Sequence, residues 1–161
     1  MHLRIPLLAA LVALAGCANE GSIDPSRIGK RRVERAAAFA ALPADQQALV
    51  EKGQIKVGMV PDAVYIAWGP AAQVLQSGDA SGETTTWLYQ GTITDDYLSW
   101  NYREIVRKDG TTYLDRYMDR DINLRTYISA ELMFRGGALA SWKMLPKPPG
   151  QTIFAPVPTL R

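Results

Sequence analysis

Few residues of this chain can do chemistry, and their identities narrow it sharply. The 161 residues include one histidine, His2, and one cysteine, Cys17. His2 lies ahead of an apolar run at the very start. The rest of the chain therefore has no imidazole for general-base catalysis, and no Ser-His or Cys-His nucleophile pair. The commonest zinc ligands are missing for the same reason. Carboxylates remain. Asp95-Asp96 could form an acid–base pair, but adjacent carboxylates in a polar stretch are ordinarily solvated loop. Asp119-Arg120-Asp121-Ile122-Asn123 has the alternating oxygen ligands that open a calcium loop. Leu124, however, stands where that loop needs Gly, and Ala130 where it needs a bidentate Glu. There is no Gly-rich phosphate loop and no G-x-S-x-G elbow. The expectation is a protein that is not an enzyme and that takes no cofactor and no metal.

Cys17 is the residue whose setting does suggest chemistry. Met1-His2-Leu3-Arg4 is a charged start, Ile5 to Leu14 is apolar, and Leu14-Ala15-Gly16 leads into the cysteine with small residues. A positive n-region, an apolar h-region and small residues before a cut form a secretory signal. The apolar run is shorter than the roughly 20 residues of a bilayer-spanning helix. A cut before Cys, rather than after an Ala-x-Ala pair, resembles the lipobox of bacterial lipoproteins. That resemblance implies a signal peptide over 1–16 and a lipidated Cys17 that ties the chain to a lipid bilayer. Three acyl chains would hold it stably, whereas one alone binds marginally. Ala18 after the cysteine implies sorting to the outer membrane, facing the periplasm, because Asp there marks inner-membrane retention.

Removing residues 1–16 takes away Arg4 and leaves 17 Lys and Arg against 16 Asp and Glu. Such a balance argues against a nucleic-acid partner, whose footprint is strongly basic. The remaining length suits one domain with a real core. One cysteine allows no disulfide, so that core must hold the fold. Residues 17–31 read as a tether, with Gly, Ser, Pro and charge and no apolar period. The cluster Arg27, Lys30, Arg31, Arg32 and Arg35 reads as solvated tether and helix start. Contact with anionic headgroups is the alternative.

From 32 to 42 the chain is Ala-rich and favours helix. Pro43 opens a second helix over 44–52, closed by Gly53. Val60-Pro61-Asp62 opens a third, with Val64, Tyr65, Ala67 and Trp68 as its apolar surface and Gly69-Pro70 as its stop. Strands follow over 73–77, 84–89, 127–134 and 138–144. The last two flank Gly136-Gly137, a tight-turn pair. Leu139 and Trp142 break strict alternation, which predicts a bulge between them. Residues 146–161 hold five prolines and read as an extended tail outside any ladder. Trp68, Trp87, Tyr89 and Trp142 are expected to fill the layer between helices and sheet. Trp87 should be largely buried against the 64–68 helix.

The run Gly53-Gln54-Ile55-Lys56-Val57-Gly58-Met59, then Val64, Ala67-Trp68-Gly69-Pro70 and Trp87-Leu88-Tyr89, resembles the SmpA/OmlA (BamE-like) family of small outer-membrane lipoproteins. The family pattern is a helix, an I-x-x-G-M link, a second helix ending in G-x-P, a W-x-Y strand and a closing Gly-turn hairpin. The resemblance covers about residues 42–145. It departs at Gly69-Pro70, where the family has a residue between Gly and Pro. It departs again at 91–125, an insertion where a connection of about two to five residues is usual. The resemblance implies a role in outer-membrane β-barrel assembly and a protein partner in the outer membrane or periplasm.

Within the insertion, 97–106 and 111–117 flank Arg107-Lys108-Asp109-Gly110, a hairpin signal. Leu98, Trp100 and Tyr102 alternate on one face, with Arg103, Arg107, Arg116 and Arg120 nearby. Aromatics and Arg are enriched at protein interfaces, which makes Trp100 and Tyr102 candidate partner-binding residues. Two further strands of the same sheet would account for them equally well. The expected fold is α+β, with two or three N-terminal helices packed on an antiparallel sheet of three to five strands. The expected function is a scaffold or partner-binding module. A periplasmic inhibitor or ligand-binding module, whose layout resembles β-lactamase inhibitory proteins, is the alternative.

Overall fold

The computed structural model describes residues 21–80 and 82–155. The signal segment 1–16, Cys17, the tether residues 17–20 and the tail end 156–161 lie outside the described residues. Four α-helical segments come first: α1 Ile28–Glu34, α2 Ala36–Ala40, α3 Ala44–Glu51 and α4 Pro61–Trp68. Five strands follow: β1 Gln73–Asp79, β2 Gly82–Val106, β3 Thr112–Arg135, β4 Ala138–Met144 and β5 Thr152–Phe154. The sheet order is β1-β2-β3-β4, all antiparallel, and β5 joins β2 in parallel. The architecture is the expected α+β one, with a long two-stranded ribbon added.

Helix α4 organises the core. Pro61 occupies its first turn, Asp62 complements the dipole there, and Gly69 closes it at φ 96°, a conformation side chains resist. Ala63, Val64, Ile66, Ala67 and Trp68 are all buried. A helix apolar nearly all round belongs inside. The other three helices surround it on one side. On the other side lie Tyr89, Ala130, Leu132, Phe134 and Leu139 of the sheet. The Gly58-Met59 link clips to β4: the Gly58 N–H donates to the Leu139 carbonyl at 2.8 Å, and the Leu139 N–H to that of Met59 at 2.7 Å. Met59 is fully buried beneath that pairing.

The β3–β4 turn is Gly136-Gly137, with φ 57° and 79°, as a two-residue type I′ hairpin requires. The bulge expected between Leu139 and Trp142 is present: Phe134 pairs with Leu139 and Met133 with Ser141. The helix expected over 32–42 is broken at Arg35, whose guanidinium turns over the Tyr65 ring, 5.1 Å from its centroid.

Three expectations need correction. Trp87 is half-buried, packed on Phe134 at 4.8 Å between ring centroids, and Tyr89 is the aromatic that is fully enclosed. Trp87 packs at the margin of the core cluster and lines an open pocket with Pro61, Phe134 and Gly136. The tether of 17–31 ends by Gly21. The Gln90 N–H donates to the Gly21 carbonyl at 2.7 Å, Ile23 packs on the core and Arg31 is buried. Most of the basic cluster serves the domain: Arg27 pairs with Asp24, Arg32 with Glu51 and Arg35 with Asp62. The tail is not free of the ladder, because β5 pairs with Asp96–Leu98 of β2. Its prolines bracket residues 151–155 instead of occupying them, so the N–H groups there remain to bond. Residues 91–125 extend the sheet, one of the two outcomes expected for that segment. The segment continues β2 and β3 past a bulge and pairs rung by rung from Gly91–Tyr127 to Val106–Thr112.

Candidate partner-binding arm

Beyond the points where β1 and β4 stop, β2 and β3 continue as a two-stranded arm. Its tip is the loop Lys108-Asp109-Gly110, as the Asp109-Gly110 pair predicts. The Gly110 N–H donates to the Arg107 carbonyl at 3.0 Å, and the Asp109 carboxylate accepts from the Thr111 N–H at 3.0 Å and its hydroxyl at 2.7 Å. This is a type I turn closed by a left-handed residue, a common three-residue hairpin loop. A bulge at Tyr89/Gln90, where Ser129 is the extra residue, marks the base.

Alternation divides the arm into two faces. Odd-numbered β2 residues continue the helix-facing side of the sheet. There Ile93 and Asp95 are buried at the base, and Arg103 further out binds Asp115 through two nitrogens at 3.0 and 2.8 Å. Even-numbered β2 residues form the back face, where no helix lies among the described residues. Leu98, Trp100 and Tyr102 stand there opposite Arg120, Met118 and Arg116. The structure thus unites the two candidate residues with a second, largely apolar column on β3 that sequence reasoning missed. Leu114, Met118, Ile122 and Leu124 are 56%, 46%, 64% and 66% exposed. Their alternation in the sequence was the available signal. Trp100 and Tyr102 are half-buried, not fully exposed as a free docking surface would have them. The cause at Trp100 is the Arg116 guanidinium, 3.8 Å from the ring centroid.

The carboxylates singled out by sequence have structural partners. Asp95 and Asp96 point to opposite faces. Asp96 takes Arg120 bidentately, Nε donating to Oδ1 at 3.0 Å and Nη2 to Oδ2 at 2.9 Å. Asp95 accepts from Arg125 Nε at 3.0 Å and from the Gln151 N–H at 2.9 Å, so it fastens the C-terminal segment to the arm's base. Residues 119–123 lie in straight β3, so their side chains alternate across the ribbon and do not converge as a calcium loop demands. Trp142 meets the Trp68 ring edge-on at 6.5 Å but is 44% exposed, so it borders the layer it was expected to fill.

The hydrogen bond from Arg125, then that from Gln151, holds the Asp95 carboxyl below its ordinary range. A depressed folded value gives stability that is present above the unfolded value, about 3.9, and is lost as pH falls through the folded one. Attachment of 151–155 should therefore be constant from neutral pH to about pH 5 and fail progressively below about pH 4. Amide exchange in that segment, corrected for the intrinsic rate, reads it. Asp95→Ala should expose the same amides at neutral pH, and unchanged protection there would refute the assignment.

No protein-family model, no curated protein and no solved structure matches the chain.

Proposed function

We propose that this chain is a periplasm-facing lipoprotein of the outer membrane that works without catalysis. It acts as a scaffold or partner-binding module in the assembly of outer-membrane β-barrel proteins. The observation that carries the reading is the arm. An isolated two-stranded ribbon is marginal in water, yet this one extends well past its supporting strands with an exposed apolar face and open edges. Among the described residues, β2 has no second neighbour beyond Leu98, and β4 covers β3 only over Ala130–Arg135. Open edges accept added strands, and Trp, Tyr, Met and Arg concentrate binding energy. The lipobox supports the anchor, and the order of SmpA/OmlA-like motifs supports the setting. Because Gly21 is already held against the sheet, an acylated Cys17 could stand at most about 14 Å from it. The domain would sit against the bilayer.

The test replaces residues 92–124 with a short Gly-Ser turn and recovers the protein from membranes. The main core cluster lies outside that segment, so a folded domain that has lost its co-purifying barrel-assembly components is expected. Capture that continues undiminished would reject the arm as the binding element. Separately, Cys17→Ser should leave a soluble or unprocessed precursor, and a variant still fractionating with the outer membrane would reject the anchor.

A further inference from the structure

We propose that the back face of the arm is an interface between two copies of this chain, packed face to face about a two-fold axis running along the arm. The inference deepens the reading of the arm as the binding element and rests on it. The back face has two columns. The β2 column presents Asp96, Leu98, Trp100, Tyr102 and Glu104, and the β3 column presents Leu114, Arg116, Met118, Arg120 and Ile122. One column is acidic and aromatic, the other basic and aliphatic.

Two of the charges are satisfied within the chain, as the Arg120–Asp96 pair. Two are not. Arg116 lies over Trp100 with no carboxylate partner, and Glu104 makes no ion pair among the described residues. An axis along the arm lays the β2 column of each copy on the β3 column of the other. Each Glu104 then comes beside the second copy's Arg116, twice over. Trp100 comes against Met118, a favourable sulfur–aromatic contact. An axis across the arm would instead stack β2 on β2 and β3 on β3, so that acid meets acid and Arg116 meets Arg120. The charge pattern therefore selects the parallel arrangement.

Sheets stack about 10 Å apart, a gap that Glu and Arg side chains bridge while apolar ones interdigitate. A second copy also gives the ribbon the packed face it lacks. The same axis leaves both N-terminal ends on one side, as anchoring in a single bilayer needs. The footprint of these columns is about 30 Å long and two strands wide, with β5 alongside at its base, at the small end for specific interfaces. Association in solution should thus depend on concentration, and co-anchoring would strengthen it.

The experiment uses the full chain in detergent micelles and reads its mass by size-exclusion chromatography with light scattering, over a wide concentration range. The expected wild-type result is a monomer that becomes a dimer as concentration rises. Arg116→Glu alone and Glu104→Arg alone should each remain monomeric. Their mixture should dimerise again, because every Glu then faces an Arg. Both positions are exposed, and circular dichroism confirms that each variant is folded. A wild type monomeric throughout, variants that dimerise normally, or a mixture that stays monomeric each overturns the proposal. A monomer whose Trp100 emission shifts with phosphatidylethanolamine vesicles would assign the face to lipid and likewise overturn it. A monomeric wild type whose partner capture still requires residues 92–124 refutes the dimer alone. Capture indifferent to those residues refutes the proposed function.

Discussion

Truncating Arg31 to alanine is expected to unfold the domain or come close to it. Arg31 is 5% exposed, and its guanidinium replaces the hydrogen bonds that α4 lacks at its carboxyl end. Arg31 Nε donates to the Ile66 carbonyl at 2.9 Å, and Nη2 donates to those of Ala67 at 3.1 Å and Asp24 at 2.6 Å. The next carbonyl, Trp68, is taken by the Asp24 N–H at 3.1 Å. The last four carbonyls of any helix need outside partners, and a positive charge there also suits the helix dipole. Losing Arg31 leaves buried acceptors unpaired at about 1–3 kcal/mol each. The total expected loss is about 3–5 kcal/mol, a large share of the stability of a domain this size. Arg31→Lys should recover part of it, since an ammonium reaches fewer of these acceptors than a planar fork. Urea unfolding measures both. A loss under about 1 kcal/mol for Arg31→Ala would mean that water satisfies those carbonyls instead.

Tyr89→Ala should cost about 3–5 kcal/mol by the same measurement, as a large aromatic removed from a closed core. Tyr89 is fully buried, meets the Trp68 ring edge-on at 5.5 Å, and donates its hydroxyl to the Gly69 carbonyl at 2.8 Å. Tyr89→Phe isolates the last of these contacts and should cost about 1 kcal/mol. Burial pushes the Tyr89 phenol well above its ordinary value. A raised folded value means stability that is complete below the unfolded value, about 10, and declines as pH rises above it. Wild type should therefore lose stability faster than Tyr89→Phe above about pH 10. Parallel alkaline profiles would show that the phenol does not stay protonated inside. Arg31 and Tyr89 both donate to carbonyls at the same helix end, so their effects should couple.

The sequence by itself determined what depends on local chemistry. Pro61, Asp62 and Gly69 delimit α4 because breakers and caps act within a turn. Gly136-Gly137 and Asp109-Gly110 place both hairpin turns because few other residues allow those backbone angles. The broken alternation of Leu139 and Trp142 located a bulge, since a period of two cannot hide an extra residue. The absence of histidine beyond His2 limited the chemistry without any fold.

Only the tertiary structure decided what depends on distant partners. Gly91 and the polar run at Asp95-Asp96 read as the end of a strand. The strand continues because the Tyr127 ring covers Gly91 from across the ladder, and because Arg125 and Arg120 pair with the two carboxylates. A strand over 152–154 could not be foreseen among prolines, because its partners lie more than fifty residues earlier. Trp87 and Tyr89 share one face and one residue class, and only the position of α4 above the sheet determines which is enclosed. Arg31 looked like one more solvated charge in a basic run. Its burial follows from a need at the end of a helix more than thirty residues away, and nothing in the local sequence around Arg31 records that need.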